Sequence, residues 1–329
     1  MIGKLNPETL LAVLERTGAS HDDLLTGAAY GEDAAAIDLG GGDILVVSAD
    51  PISLAAEAAG TLGVHVACND IAASGADPEF LTNVIFLPDD NPETLALLTE
   101  QLDSAAAEIG VTIVGGHSEY VPALSRPLLS LTAFGRTDRF IPTGGAEPGD
   151  KLLLTKGAAI EGTGILATDF EDELRTAGVD DATIERAASF FEDISVLPES
   201  QVLRSFATAM HDPTEAGVRA GCVELAAASD VDLVVERSRI PIRSETETVC
   251  AAMGVDPLGI FGSGALLATV PAEAVDAVCN SLQQAAIEAA VIGTVREPTE
   301  ETADDTGALI LDGERMTAAG TDQLYPLWE

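Results

Sequence analysis

Short apolar runs of strand character alternate with capped helical segments along the whole chain, and this alternation limits the fold to a mixed α and β architecture. Asn6-Pro7-Glu8-Thr9-Leu10 sets a cap residue before a proline at the first helical position, and Leu10, Leu11, Val13 and Leu14 carry the apolar spacing on towards Gly18. The same device recurs at Asn91-Pro92-Glu93-Thr94-Leu95 and opens a helix that stops at Gly110. The recurrence reflects capping chemistry, not an internal repeat. Strands are expected over 44–49, 80–87, 111–114 and 128–134, with an Ala-rich helix from about residue 61 to 74, ended by Gly75.

Ala146-Glu147-Pro148-Gly149-Asp150 is rich in turn formers and marks a domain boundary, giving domains 1–148 and 149–329. Beyond it the pattern predicts strands over 151–155, 231–235, 265–270 and 292–295. Helices are expected over 184–191, 200–210, 215–229 and 272–290, and a final hairpin turns at Asp312-Gly313. Both halves read as α+β.

The chain carries 55 Asp and Glu against 16 Lys and Arg, a formal net charge of -39, yet 47% of its residues are hydrophobic. It can bury a core, so the charge belongs outside. Such self-repulsion is screened at molar salt, where the Debye length falls to about 3 Å, and the composition suits a salt-rich cytoplasm. Nucleic acid is disfavoured as a partner because no basic stripe is present. Cys68, Cys222, Cys250 and Cys279 show no CxxC spacing, which argues against a structural zinc or a disulfide framework. Apolar runs are broken well before about 18 residues and the N-terminus lacks a signal-type apolar segment, so no membrane association is expected and the protein is placed in the cytoplasm.

Several clusters could carry chemistry. Gly31-Glu32-Asp33-Ala34-Ala35 joins a glycine and two carboxylates to small residues that let a ligand approach, or is a solvated loop. Asp50 closes a strand expected to be buried. Asn69 and Asp70 interrupt a small, apolar helix; a carboxylate facing a packed interior needs a partner, for which Mg²⁺ is suited, whereas a surface position would be harmless. Gly115-Gly116-His117 follows a strand and reads as a turn whose N–H groups could cradle phosphate, with His117 a catalyst or a hydrogen-bonded structural histidine. Lys156 precedes a glycine-rich stretch and either meets a phosphate or lies on the surface; the order is not that of a P-loop. Asp212 or Thr214 would cap a following helix whose N-terminus favours anions.

Taken in order, these segments resemble the superfamily of aminoimidazole ribonucleotide synthetase, selenophosphate synthetase, thiamine-monophosphate kinase and the hydrogenase maturation protein HypE, HypE above all. Gly31 to Ala35 looks like the family's G-D-D-A-A, Asn69 to Ala76 like N-D-L-A-x-S-G-A, and Asp212 to Gly217 like D-P-T-x-G-G. The resemblance implies a PurM-like two-domain α+β fold, with an N-terminal strand-helix domain that pairs in a homodimer and a C-terminal domain closing over ATP. It implies Asp33, Asp50 and Asp70 as Mg²⁺ ligands; Asp70 and, from its own segment, His117 are the catalytic candidates. Gly31, Glu32, Asn69, Gly115, Gly116, Lys156, Asp212 and Thr214 would line the nucleotide site. The implied chemistry is ATP-driven activation of an amide- or acid-type oxygen, or phosphoryl transfer to a small molecule; loss of chemistry, leaving an ATP-binding assembly partner, is a third reading. Two departures stand out: HypE has G-D-T-K where this chain has Gly116-His117-Ser118-Glu119, and no cysteine follows Cys279, where HypE ends in a reactive Cys. The acceptor is therefore expected to be a small molecule or another protein's thiol.

Overall fold

The computed structural model describes residues 3–5, 7–53, 58–298, 307–318 and 320–328, and each of its two sheets collects strands from one half of the chain. Helix α1 (Pro7–Leu14) precedes β1 (Leu24–Thr26), β2 (Ala35–Gly40), β3 (Asp43–Ile52), α2 (Ala59–Ala73), β4 (Asp77–Leu87), α3 (Pro92–Glu108), β5 (Thr112–Tyr120) and β6 (Leu128–Thr137). These strands lie in the order β1-β2-β3-β6-β4-β5, antiparallel except for β4 and β5 at one edge. A parallel pair needs a crossover, and α3 supplies it. It starts as its sequence dictates, with the Asn91 side chain accepting from the Glu93 N–H at 3.0 Å. The Asn6 cap falls outside the described residues.

The second half runs β7 (Lys151–Thr155), α4 (Ile160–Asp169), α5 (Glu171–Thr176), α6 (Asp181–Ala188), α7 (Leu197–Leu203), β8 (Ala209–His211), α8 (Gly217–Ser229) and β9 (Asp232–Val235). It continues with α9 (Ser244–Met253), β10 (Leu267–Val270), α10 (Val275–Gln284), β11 (Ala289–Arg296), β12 (Leu309–Leu311) and β13 (Glu314–Met316). Its sheet has the order β13-β12-β9-β11-β7-β10-β8. Asp312 and Gly313 both take positive φ, as a two-residue hairpin turn requires.

Helix α2 joins the two halves. Apart from Thr61, His65, Asn69 and Asp70 its residues are small or apolar, and 14 of its 15 residues are buried. A Cβ on Gly63 would lie 2.7 Å from Leu131 of β6, so glycine is what lets helix and sheet approach. On its other side Ala72 and Ala73 pack with Leu153 and Met210 of the second sheet, while Leu62 meets Ile160 and Ile194. The Asn69 side chain fastens this contact, donating to the Ile194 carbonyl and accepting from the Val196 N–H, each at 2.9 Å.

Three elements depart from the sequence expectation. The strand expected to stop at Val114 continues to Tyr120, so Gly115 and Gly116 are not a turn: they pair with Thr82 and Asn83 inside β5. A Cβ on Gly116 would fall 1.8 Å from the Asn83 carbonyl oxygen, and the close approach of two strands, not phosphate, accounts for that glycine. The helix expected over 200–210 ends at Leu203, because residues 209–211 find a ladder on β10. The helix expected over 272–290 breaks at Ala286, which has φ +59, and the chain re-enters the sheet as β11.

Candidate active site

Four aspartates from distant parts of the chain act on one another at the junction of the two halves. Asp50 lies within β3 rather than at its end, Asp70 faces it from α2, Asp33 enters before β2, and Asp212 follows β8. The Ser48 hydroxyl lies 2.5 Å from Asp70 Oδ2 and 3.0 Å from Asp50 Oδ2. One hydroxyl has one proton to donate, so it cannot serve two ionised carboxylates at once. Burial, with Asp50 and Asp33 adding to it, accordingly pushes the Asp70 carboxyl well above the usual range. Asp212 is 1% exposed, and neither of its carboxylate oxygens has a hydrogen-bond partner among the described residues. Burial first and the charge of Asp33 second push its pKa well up.

Asp33 is held by a side chain that the sequence reading passed over. His211 Nδ1 lies 2.9 Å from Asp33 Oδ2, and His211 Nε2 lies 3.1 Å from Glu224 Oε2 on α8. Burial alone would lower the imidazole's pKa, but the two carboxylates push it up to about 10, so near neutral pH the ring is an imidazolium donating both protons. Glu224 in turn lies 3.5 Å from the Lys4 ammonium. The row Lys4, Glu224, His211, Asp33 thus alternates in sign. His211 stands next to Asp212 in sequence, but nothing local names Glu224 or Asp33 as its partners; only the strand register of β8 does.

The remaining expected residues separate into those at this site and those with other tasks. Gly31, at φ +82 with a would-be Cβ 3.0 Å from the Glu224 carbonyl, lines with Asp33 and His211 a cavity of about 710 Å³. Thr214 is near it, its hydroxyl 3.5 Å from the Lys4 ammonium, but neither Thr214 nor Asp212 caps α8, whose N-cap is Ala216 in the left-handed region. Glu32 accepts from the Thr143 and Gly144 N–H groups, both at 3.2 Å, and so clamps its own loop to the interdomain segment. Asn69 is committed to the backbone clip already described. Lys156 is neither a surface lysine nor free for phosphate: its ammonium is held by the Asp193 and Ser195 carbonyls at 2.7 and 2.6 Å and by Glu199 at 3.0 Å, beside a separate cavity of about 900 Å³. His117 lies exposed on edge strand β5, 3.3 Å from Glu119, and the structure brings it to none of the four aspartates.

Comparison with known proteins gives this arrangement a family. The model of the AIR synthase related protein N-terminal domain matches residues 31–137, and that of the C-terminal domain matches residues 147–305. The chain belongs to the AIR synthase-related family. This AIR synthase-related chain is 29% identical over 269 residues to the carbamoyl dehydratase HypE of Cupriavidus necator, covering 77% of this chain and 73% of that protein. It is 31% identical over 258 residues to the selenide, water dikinase of Nitratidesulfovibrio vulgaris, covering 77% and 71%. Among solved structures, that of AaThiL complexed with AMPPCP and TMP superposes with a TM-score of 0.75 at 19% identity, covering 98% of this chain and 99% of that one. The PurM-like, two-domain mixed α and β fold expected from the motifs is the fold observed.

The donor set of this AIR synthase-related site fits Mg²⁺. Among the described residues no three His, Cys, Asp or Glu side chains form a ready-made cage, and Mg²⁺ does not need one, since it usually keeps waters and takes one or two carboxylates plus substrate phosphate. Buried carboxylate oxygens without partners on Asp212, beside Asp33, Asp50 and Asp70, are hard donors lacking a counter-charge.

Proposed function

We propose that this AIR synthase-related protein is an ATP- and Mg²⁺-dependent, HypE-like enzyme that activates an amide- or acid-type oxygen by phosphoryl transfer. The acceptor is a small molecule or another protein's thiol derivative. The observation that carries this reading is a buried cluster of four aspartates, Asp33, Asp50, Asp70 and Asp212, in which, among the described residues, only Asp33 has a cationic side chain, His211, beside it. A buried acid cluster of this kind opposes folding, and a divalent ion carrying the triphosphate relieves it. The bound ion would neutralise charge on the phosphates; Asp50, Asp70 and Asp212 would hold it, and His211 would hold the Asp33 side chain in place beside them.

The domains of this enzyme are taken as 1–148 and 149–329, and its working form as a homodimer in a salt-rich cytoplasm. Strand β5 supports the dimer: it is a sheet edge, and Val114 and Tyr120 on it are 55% and 59% exposed. Pairing there would also give His117, exposed on the same strand, a neighbour from the second copy.

The test is nucleotide turnover in molar KCl. Mg-ATP should bind, and ADP or AMP should appear once the acceptor is supplied. Asp70→Asn and Asp212→Asn should each lower turnover by about 10²-fold or more, the scale of losing one preorganised charge-stabilising group. No Mg-dependent ATP binding, or binding indifferent to both substitutions, would remove the proposal. Among the described residues no helix is long and apolar enough to cross a membrane.

A further inference from the structure

Beside the aspartates lies a second, smaller recess that the ATP reading does not use. It measures about 60 Å³ and is lined by Ser53, Glu161, Glu215, Phe261, Tyr325 and Trp328 among others. Its walls are of two kinds. Phe261 stands edge-on to Tyr325, with centroids 5.7 Å apart, and to Trp328, at 6.5 Å. Glu161 is 5% exposed, and among the described residues its Oε2 and the fully buried Ser263 hydroxyl each lack a well-aligned hydrogen bond; they act on one another, and the Ser263 carbonyl accepts from the Glu161 N–H. Asp322, behind them, is satisfied by the Ala216 and Leu324 N–H groups at 2.7 and 2.8 Å.

A buried carboxylate served by one poorly aligned hydroxyl costs free energy, and aromatic walls around it exclude the water that would supply further donors. Burial pushes the Glu161 carboxyl up to about 7 against the Ser263 hydroxyl, which acts to lower it, and the charges of Asp322 and Glu215 add to the rise. Aromatic rings and carboxylates together attract one class of group, a compact organic cation: the rings through their quadrupoles, the acids through charge and hydrogen bonds. The volume suits a head of a few heavy atoms, given that one water occupies about 30 Å³. The recess also faces the right neighbours. Pro51 and Ser53 follow Asp50 directly along the chain, and the charge of Glu161 is felt at Asp212.

We infer that this recess receives a cationic nitrogen group of the acceptor, an ammonium or amidinium, with Glu161 and Glu215 as its counter-charges and Phe261, Tyr325 and Trp328 as its walls. The inference rests on the proposed reading of the aspartates as the phosphoryl end of the same cleft, since only then is a neighbouring recess an acceptor subsite.

Trp328 is the sole tryptophan of the chain and a built-in reporter. The full chain is titrated with n-propylammonium chloride, with guanidinium chloride below denaturing concentrations, and with neutral n-propanol, at constant chloride, following Trp328 fluorescence. Saturable binding of a cation, at least tenfold tighter than that of propanol, and a tenfold or greater weakening in Glu161→Gln is the expected result; Glu215→Gln serves as the second variant should Glu161→Gln not fold. Equal binding of propanol, no binding of either cation, or binding unchanged in the folded variant overturns the inference. Mg-ATP binding is measured separately by thermal shift. Cation binding without Mg-ATP binding would remove the nucleotide reading and with it the acceptor role, whereas Mg-ATP binding without cation binding would remove this inference alone.

Discussion

Replacing Asp70 by Asn should make the metal-free protein more stable while disabling it. Asn is isosteric with a neutral carboxyl and can still accept from the Ser48 hydroxyl, now 2.5 Å from Asp70 Oδ2, so packing is preserved and one acid is removed from the cluster. An acid whose proton is held more tightly in the fold contributes stability at low pH and loses that contribution as pH rises from about 3.9 through the raised folded value. Asp70 is of this kind, and Asn has nothing to lose. The advantage of the variant should therefore widen between pH 5 and pH 8. Neutral replacement of buried charges stabilises by about 1–3 kcal/mol. With an unfolding entropy of roughly 2 cal/mol/K per residue, a chain of 329 residues would gain about 1.5–4.5 °C in Tm. Saturating Mg-ATP should reverse the order, because ligand at 100 times its Kd adds about 2.7 kcal/mol to the wild type and far less to the variant. Scanning fluorimetry at pH 5 and pH 8, with and without Mg-ATP in constant KCl, reads all four values. A variant less stable than wild type at pH 8 without Mg²⁺, an advantage equal at both pH values, or equal gains from Mg-ATP would each refute the reasoning.

Other residues carry predictions of different sign. Asn69→Ala orphans the Ile194 carbonyl and the Val196 N–H and should cost about 2–4 kcal/mol by denaturant titration; an unchanged midpoint would return Asn69 to the nucleotide. His211, raised to about 10, contributes stability that is fully present below about pH 6.5 and lost as pH climbs through 10, up to about 5 kcal/mol by linkage; His211→Gln should flatten that alkaline slope in urea melts. Lys156→Met leaves the Asp193 and Ser195 carbonyls and Glu199 without their cation, and should destabilise by about 3–5 kcal/mol without altering the Kd for Mg-ATP. Raising KCl from 0.1 to 2 M should raise Tm for every variant, since it screens the surface excess behind the net charge of -39.

What the sequence made legible was whatever local chemistry decides. The Asn91 cap, the Gly75 stop, strand β7 and the Asp312-Gly313 hairpin each follow from a few adjacent residues, and each stands where expected. Convergence of Asp33, Asp50 and Asp70 was reached through motif resemblance, not through any local pattern. The failures share one cause. Gly115-Gly116 reads as a turn unless β4 is known to lie against it, and the 209–211 run reads as helix unless β10 offers its ladder. Lys156 looks like a phosphate ligand until the carbonyls of Asp193 and Ser195, 37 and 39 residues away, are folded round it. Non-local partners decide these residues.

The same division separates two populations of negative charge that composition counts together. Surface carboxylates repel through solvent, and a Debye length of about 3 Å in molar salt removes most of that repulsion. The carboxylates of Asp70 and Asp212 are shielded from solvent, so added KCl reaches them weakly; their relief requires either protons or an ion seated among them. Salt and Mg²⁺ should therefore stabilise the protein by additive amounts, each insensitive to the other, and Asp70→Asn should diminish only the second. If high KCl abolished the gain from Mg-ATP, the aspartates would be behaving as surface charges, and neither the buried cluster nor the function built on it would survive.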